Sequence, residues 1–202
     1  MKKFLFSFLF LGLSLLAMSQ NNDRLKYIRE KYAEAHNRIV EITKYEKEEL
    51  AFKNYTTMTR YQNWSAVGPC HYTSKYFYDE VYSSDEEPYP DSYALTMVVN
   101  TFSVAAHEVY EEFLYDSDGS PLLFFKSYYD FDVDAKAELR AYYDKDGKVF
   151  KTICKTAGAD GKMKETTINP GFEEKIDYAL TGFNYFKKIF NDTYNSGYEY
   201  YW

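Results

Sequence analysis

Asp130, Asp132 and Asp134 stand at alternate positions, the spacing that opens a calcium loop of the EF-hand type. Such a loop needs a glycine at its sixth position and a bidentate glutamate at its twelfth. Here those places hold Ala135 and Ala141, and in Asp116-Ser117-Asp118-Gly119 the glycine comes two positions early. His107-Glu108 begins like the helical zinc-protease motif, but Glu111 stands where the second histidine must be. The three histidines, His36, His71 and His107, have no ligand spacing among them, so no metal site is expected. Cys70 and His71 are neighbours, which on a strand sends their side chains to opposite faces and separates thiol from imidazole. No nucleophile elbow, phosphate-binding glycine loop or dinucleotide fingerprint occurs, so neither catalytic residues nor a cofactor are assigned. With 31 Asp and Glu, adjacent carboxylates arise by chance and do not by themselves argue for glycosidase chemistry.

The aspartates make better sense as turns. Tyr115-Asp116-Ser117-Asp118-Gly119 recurs as Tyr129-Asp130-Phe131-Asp132-Val133 and as Tyr143-Asp144-Lys145-Asp146-Gly147, each copy 14 residues after the last. Ala157-Gly158-Ala159-Asp160-Gly161 is a degenerate fourth copy. Asp-x-Asp-Gly suits a type I turn closed by a left-handed glycine, the three-residue hairpin with a G1 bulge. The period then divides into a strand of about ten residues and a turn of about four, an up-and-down antiparallel meander.

Before the repeats, residues 23–50 carry Leu25, Ile28, Tyr32, Ala35, Ile39 and Ile42 at helical spacing, with Glu46 and Glu49 ending the stripe. Alternation predicts a strand over Tyr55–Tyr61, and further strands are expected over His71–Asp79 and Ser92–Val104. The stretch between Asp79 and Asp91, with Glu80, Asp85, Glu86, Glu87, Pro88 and Pro90, reads as an acidic loop. A second helix is expected over 170–190, capped by Asn169, with Pro170 at its first position and Lys187 and Lys188 in its last turn. Its apolar face is Phe172, Ile176, Ala179, Leu180, Phe183, Phe186 and Phe190.

Turn type sets register, and register assigns faces. Pairing Asp116 with Ser120 and Asp144 with Lys148 puts Phe113 opposite Leu123, Leu139 opposite Ile153 and Tyr142 opposite Phe150. One face, expected to be core, collects Val109, Phe113, Leu123, Phe125, Leu139, Val149 and Ile153. The other mixes Tyr110, Leu114, Phe124, Tyr128, Tyr142 and Phe150 with Glu112, Lys126 and Arg140. Tyrosine offers flat apolar area with a hydrogen-bonding tip and arginine a fixed donor fork. Tyr110, Tyr128, Arg140 and Tyr142 are therefore the candidate binding residues, suited to a glycan or a protein surface.

Composition narrows the class. Lys2 and Lys3, the apolar run Phe4–Leu16 and Ala17-Met18-Ser19 make residues 1–19 a cleavable secretory signal. Residues 20–202 are then one α+β domain working in the periplasm, at the cell surface or as a secreted protein, with no membrane span after cleavage. Of the 24 basic residues Lys2 and Lys3 leave with the signal, moving the net charge from −7 to −9, which repels nucleic acid. The 23 Tyr and 16 Phe suit a β-rich fold. Pairing of Cys70 with Cys154 stays open. The tail Tyr194, Tyr198, Tyr200 and Trp202 alternates like the closing strand of an outer-membrane barrel. Two helices, and charged residues sharing a face with Phe and Tyr, argue against that.

The expected architecture is an antiparallel meander sheet of about seven or eight strands flanked by an N-terminal and a C-terminal helix. As a whole the chain resembles the small uncharacterised exported proteins of Gram-negative bacteria, in its signal, meander and flanking helices. The resemblance has no diagnostic motif and implies no activity. The leading expectation is non-catalytic binding or a structural role; the alternatives are a secreted enzyme acting on an extracellular polymer and a small outer-membrane barrel. N-terminal sequencing of the protein from its native host is expected to begin near Gln20, and full-length chain recovered from cytosol overturns the export reading.

Overall fold

Eight antiparallel strands lie side by side in the order in which the chain makes them. They are β1 (Tyr55–Trp64), β2 (Gly68–Val81), β3 (Ser92–Val104), β4 (His107–Tyr115), β5 (Pro121–Asp130), β6 (Ala135–Tyr143), β7 (Val149–Ala157) and β8 (Met163–Thr166). Helix α1 (Lys2–Lys47) covers one face and α2 (Pro170–Tyr194) the other. The computed structural model describes residues 2–47, 55–64, 68–84, 89–104, 106–167 and 170–196, with side chains for 21–44, 55–61, 70–84, 89–104, 106–167 and 171–196. Residues 48–50 of the expected first helix, the cap Asn169, part of the acidic loop and the tail residues Tyr198, Tyr200 and Trp202 lie outside the described residues. No helix among the described residues is long and apolar enough to cross a membrane.

The α1 stripe packs as its spacing predicts. Leu25 and Ile28 are buried and Tyr32, Ala35, Ile39 and Ile42 partly so, against Phe77, Met97, Leu114, Leu122, Leu123 and Tyr142. On the other side α2 buries Phe172, Ala179, Phe183, Phe186 and Phe190 on Tyr76, Val98, Phe113, Phe124, Leu139 and Tyr143. Leu180 falls off that face and is exposed, and α2 runs a full turn past Lys188. Lys187 instead reaches the sheet, its Nζ donating to Gly119 O at 2.9 Å. Gly182 sits where α2 comes nearest the strands: an added Cβ would lie 2.6 Å from Phe113 Cε1. That close approach justifies a mid-helix glycine, which otherwise costs about 1 kcal/mol.

The turns form as the aspartate repeats predict. Asp116 N donates to Ser120 O and Asp144 N to Lys148 O, both at 2.8 Å, with Gly119 and Gly147 at φ 74°. The degenerate copy turns likewise, Gly161 taking φ 73°. The copy without glycine closes through Asp134 at φ 52°, a conformation that aspartate tolerates. The carboxylates are spent locally: Asp144 Oδ1 accepts from Asp146 N at 2.9 Å and Lys148 N at 2.8 Å, and Asp130 Oδ1 from Asp132 N at 3.0 Å.

The register beyond these turns differs from the expectation. Tyr115 pairs with Pro121 but Leu114 with Leu123, and Tyr143 pairs with Val149 but Tyr142 with Lys151. Leu122 and Phe150 are thus extra residues in bulges just past the turns. One extra residue carries everything after it to the opposite face. Phe113 consequently lies opposite Phe124, Leu139 opposite Cys154 and Arg140 opposite Ile153. The expected core face splits: Val109, Phe113, Leu139 and Val149 lie under α2, while Leu123, Phe125 and Ile153 turn towards α1. Both faces are core.

Cys70 on β2 and Cys154 on β7 are free thiols. Five strand spacings, about 24 Å, separate their strands, far beyond bonding reach. Burial pushes the Cys154 thiol up to about 11, so it stays protonated and inert at neutral pH.

Gly147 isolates the cost of the turn conformation, because an added Cβ there meets nothing within 4 Å. Gly147→Val is expected to lower the unfolding free energy by about 1–2 kcal/mol through positive φ alone, read from a urea midpoint at unchanged slope.

Candidate functional site

The four residues expected to form one binding face are not brought together. Tyr128 sits under α2, 6% exposed, donating its hydroxyl to Asp130 at 3.2 Å. Tyr110, Arg140 and Tyr142 are on the α1 face, and Tyr142 is buried at 5% beside Leu25 and Ile28. The bulge at Leu122 causes the separation, since it moves β5 out of phase with β4. Tyr110 and Arg140 remain half-exposed on either side of Phe125. Arg140 lies 4.5 Å over that ring and pairs with Glu138 at 3.1 Å. The Tyr110 hydroxyl is committed to Glu112 at 2.5 Å.

A better-built site lies on the other face, between α2 and strands β1–β3. There a cleft of about 600 Å³ opens between the sheet and the helix. Period-two alternation turns Arg60 of β1, Tyr72 and Ser74 of β2 and Asn100 of β3 to this side, because the ladder sets Arg60 opposite Tyr72 and Ser74 opposite Asn100. Helix α2 contributes Tyr178 and Tyr185, two turns apart on one edge and 48% and 47% exposed, with Gly182 between them. The small residue lets the helix sit low, so the two rings stand as a wall.

The floor is polar and satisfied from behind. Glu111, wholly buried, accepts from Lys126 Nζ at 2.7 Å and from Asn100 Nδ2 at 3.0 Å. That contact fixes the amide, leaving Asn100 Oδ1 to accept from Ser74 Oγ at 2.9 Å. The Ser74 proton and one Asn100 amide proton are thereby committed, so the floor shows the cleft the lone pairs of Ser74 Oγ and Asn100 Oδ1 and keeps a single amide proton of Asn100 in reserve. Lys126 is enclosed by the rings of Phe102, Tyr128 and Tyr178, with Nζ 5.8, 5.7 and 5.4 Å from their centroids. Burial, and next the Glu111 charge, push the Tyr178 hydroxyl up to about 12, so it is a neutral donor.

At the mouth Arg60 lies 4.6 Å over the Tyr72 ring and donates to Tyr185 Oη at 3.3 Å. Arg24, Arg38 and Arg140 each pair with a carboxylate, respectively Asp116, Asp79 and Glu138. Arg60 pairs with no carboxylate among the described residues.

On the opposite face the neighbouring Glu112 accepts from Tyr32 and Tyr110, both at 2.5 Å, and lies 3.1 Å from His36 Nε2. Glu111 and Glu112 therefore point away from each other across the sheet and cannot act as an acid–base pair on one substrate. A hollow of about 780 Å³ beside Asp23, Arg24 and Tyr27 of α1 is bounded by Asp116 and Asp144, already bonded to Arg24, Tyr27 and turn amides.

No family model, curated protein or solved structure matches this chain. The site consequently stands on its own geometry. The sequence offered two pointers to it: Asn100 inside an apolar strand, and Glu111 at period two between Val109 and Phe113, a carboxylate in a core row. A buried charge needs a partner, and Lys126 is that partner. The cleft itself depends on α2 meeting strands far earlier in the chain, which no local pattern encodes.

Removing the counter-charge tests the floor. Lys126→Met is expected to cost about 3 kcal/mol or more in urea unfolding at neutral pH, because Glu111 is left charged without a cation. Lys126→Met with Glu111→Gln is expected to recover a substantial part of that loss, a coupling a double-mutant cycle reads directly.

Proposed function

We propose that this is an exported, non-catalytic binding protein whose ligand occupies the cleft between α2 and β1–β3. The observation that carries the reading is the pairing of a pre-formed polar floor, Ser74 and Asn100 held by Glu111–Lys126, with an Arg60 at the mouth that meets no carboxylate among the described residues. Concave, mostly aromatic sites with a few fixed polar groups are how proteins hold small molecules or the ends of polymers. Export is supported by Lys2, Lys3, the apolar run after them and Ala17-Met18-Ser19. Binding without chemistry is supported by the state of the carboxylates: Glu111 and Glu112 are each engaged by several donors and lie on opposite faces.

The test is a nuclear magnetic resonance titration of the mature protein with a small-fragment set. Saturable shifts are expected at the amides of Thr59, Arg60, Thr181 and Tyr185. Tyr185→Ala is expected to weaken them about tenfold while stability stays within about 0.5 kcal/mol, the ring being half-exposed. Shifts confined to Tyr110, Phe125 and Lys136 would move the site to the α1 face and overturn this reading.

A further inference from the structure

We infer that the cleft takes an acidic sugar unit, a hydroxylated six-membered ring carrying one carboxylate, as in a uronic acid. The inference rests on the cleft being the ligand site and follows from which atoms remain unused there.

The mouth asks for an anion. Arg60 gives one N–H to Tyr185 Oη and lays its face on Tyr72. The rest of its planar donor fork is uncommitted to any carboxylate among the described residues, and a guanidinium fork matches a carboxylate with two parallel bonds. Tyr185, which accepts from Arg60, still has its own proton to donate to the same anion.

The floor asks for donors. Asn100 gives one amide proton to Glu111 and Ser74 gives its hydroxyl proton to Asn100, so Ser74 Oγ and Asn100 Oδ1 face the cleft mainly as acceptors. Sugar hydroxyls donate to such groups. A second negative charge would meet acceptor oxygens with the Glu111 carboxylate behind them and at most one amide proton, so a phosphoryl dianion fits poorly while a monocarboxylate held out at the mouth fits well. The net negative charge of the whole chain likewise disfavours ligands carrying several negative charges.

The wall asks for a ring with an apolar face. Tyr178 and Tyr185 present half-exposed aromatic surface two helical turns apart, and the Tyr178 hydroxyl is a neutral donor beside them. The volume of about 600 Å³ holds one or two pyranose units. Carboxylate at the mouth, hydroxyls at the floor and C–H face on the tyrosines describe one ligand class.

Three probes separate these features in the same magnetic resonance experiment: glucuronate, glucose, and cyclohexanecarboxylate. Glucuronate at millimolar concentration is expected to shift the amides of Arg60 and Tyr185 saturably. Glucose lacks the anion and cyclohexanecarboxylate the hydroxyls, so each is expected to bind at least about tenfold more weakly. Arg60→Gln, at an exposed position, is expected to weaken glucuronate at least about tenfold with the melting temperature unchanged. Equal binding of glucose, or an Arg60→Gln variant that binds glucuronate as before, overturns the acidic-sugar assignment and leaves the cleft as the ligand site. Silence from all three probes while the fragment titration still marks the cleft has the same meaning. Silence in both experiments overturns both readings.

Discussion

Successive side chains of a strand point to opposite faces, and at Glu111 and Glu112 both of those side chains are carboxylates held out of water. Neither can stay charged without donors close by, and the donors come from different parts of the chain. Lys126 and Asn100 close on Glu111 beneath α2, and Tyr32 and Tyr110 close on Glu112 beneath α1. The two residues act as a double peg through the middle of the sheet. Glu112 fixes where α1 lies, since Tyr32 must reach it. Glu111 orients Asn100 and through it Ser74, so a buried ion pair determines which atoms the cleft shows to a ligand. A helix laid on apolar surface can slide with little penalty; a hydroxyl 2.5 Å from a buried carboxylate cannot.

Much of this architecture is legible in the chain. The bounds of β3 coincide with the expected strand, the six-residue stripe of α1 packs as a unit, and the aspartate repeats mark their turns down to the left-handed glycines. Each of these signals is local: a period, a propensity or a backbone conformation. The bulges are where local reasoning failed, for a specific reason. Leu122-Leu123-Phe124-Phe125 is four apolar residues in a row, and in a sheet with two buried faces such a run fits either phase. Alternation, which normally reports register, is silent there. A pattern that assumes one dry and one wet face then sorts Tyr128 onto the wrong face and takes the buried face of Tyr142 for an open one.

The candidate site was less legible than the fold because its parts are polar exceptions scattered across β1, β2, β3 and α2. Asn100 within an apolar strand and Glu111 within a core row are each visible as anomalies. Their meeting is not, since it requires the strand order, the register and the seat of α2 together. Tyr178 and Tyr185 are masked by composition: among 23 tyrosines, two at helical spacing carry no weight until the neighbouring cleft is seen.

Strands that neighbour one another in sequence and in space need only short loops to close, so the sheet can assemble progressively as the chain is made from its N-terminus. Helix α2 breaks that progression. Phe172, Phe183, Phe186 and Phe190 come from the last part of the chain, yet they cap an apolar surface that the strands complete much earlier. During synthesis, the finished meander would therefore stand with one greasy side bare until its final segment arrives. A chain that stops short of α2 is a sheet with a missing lid, its bare apolar face sticky to other copies of itself.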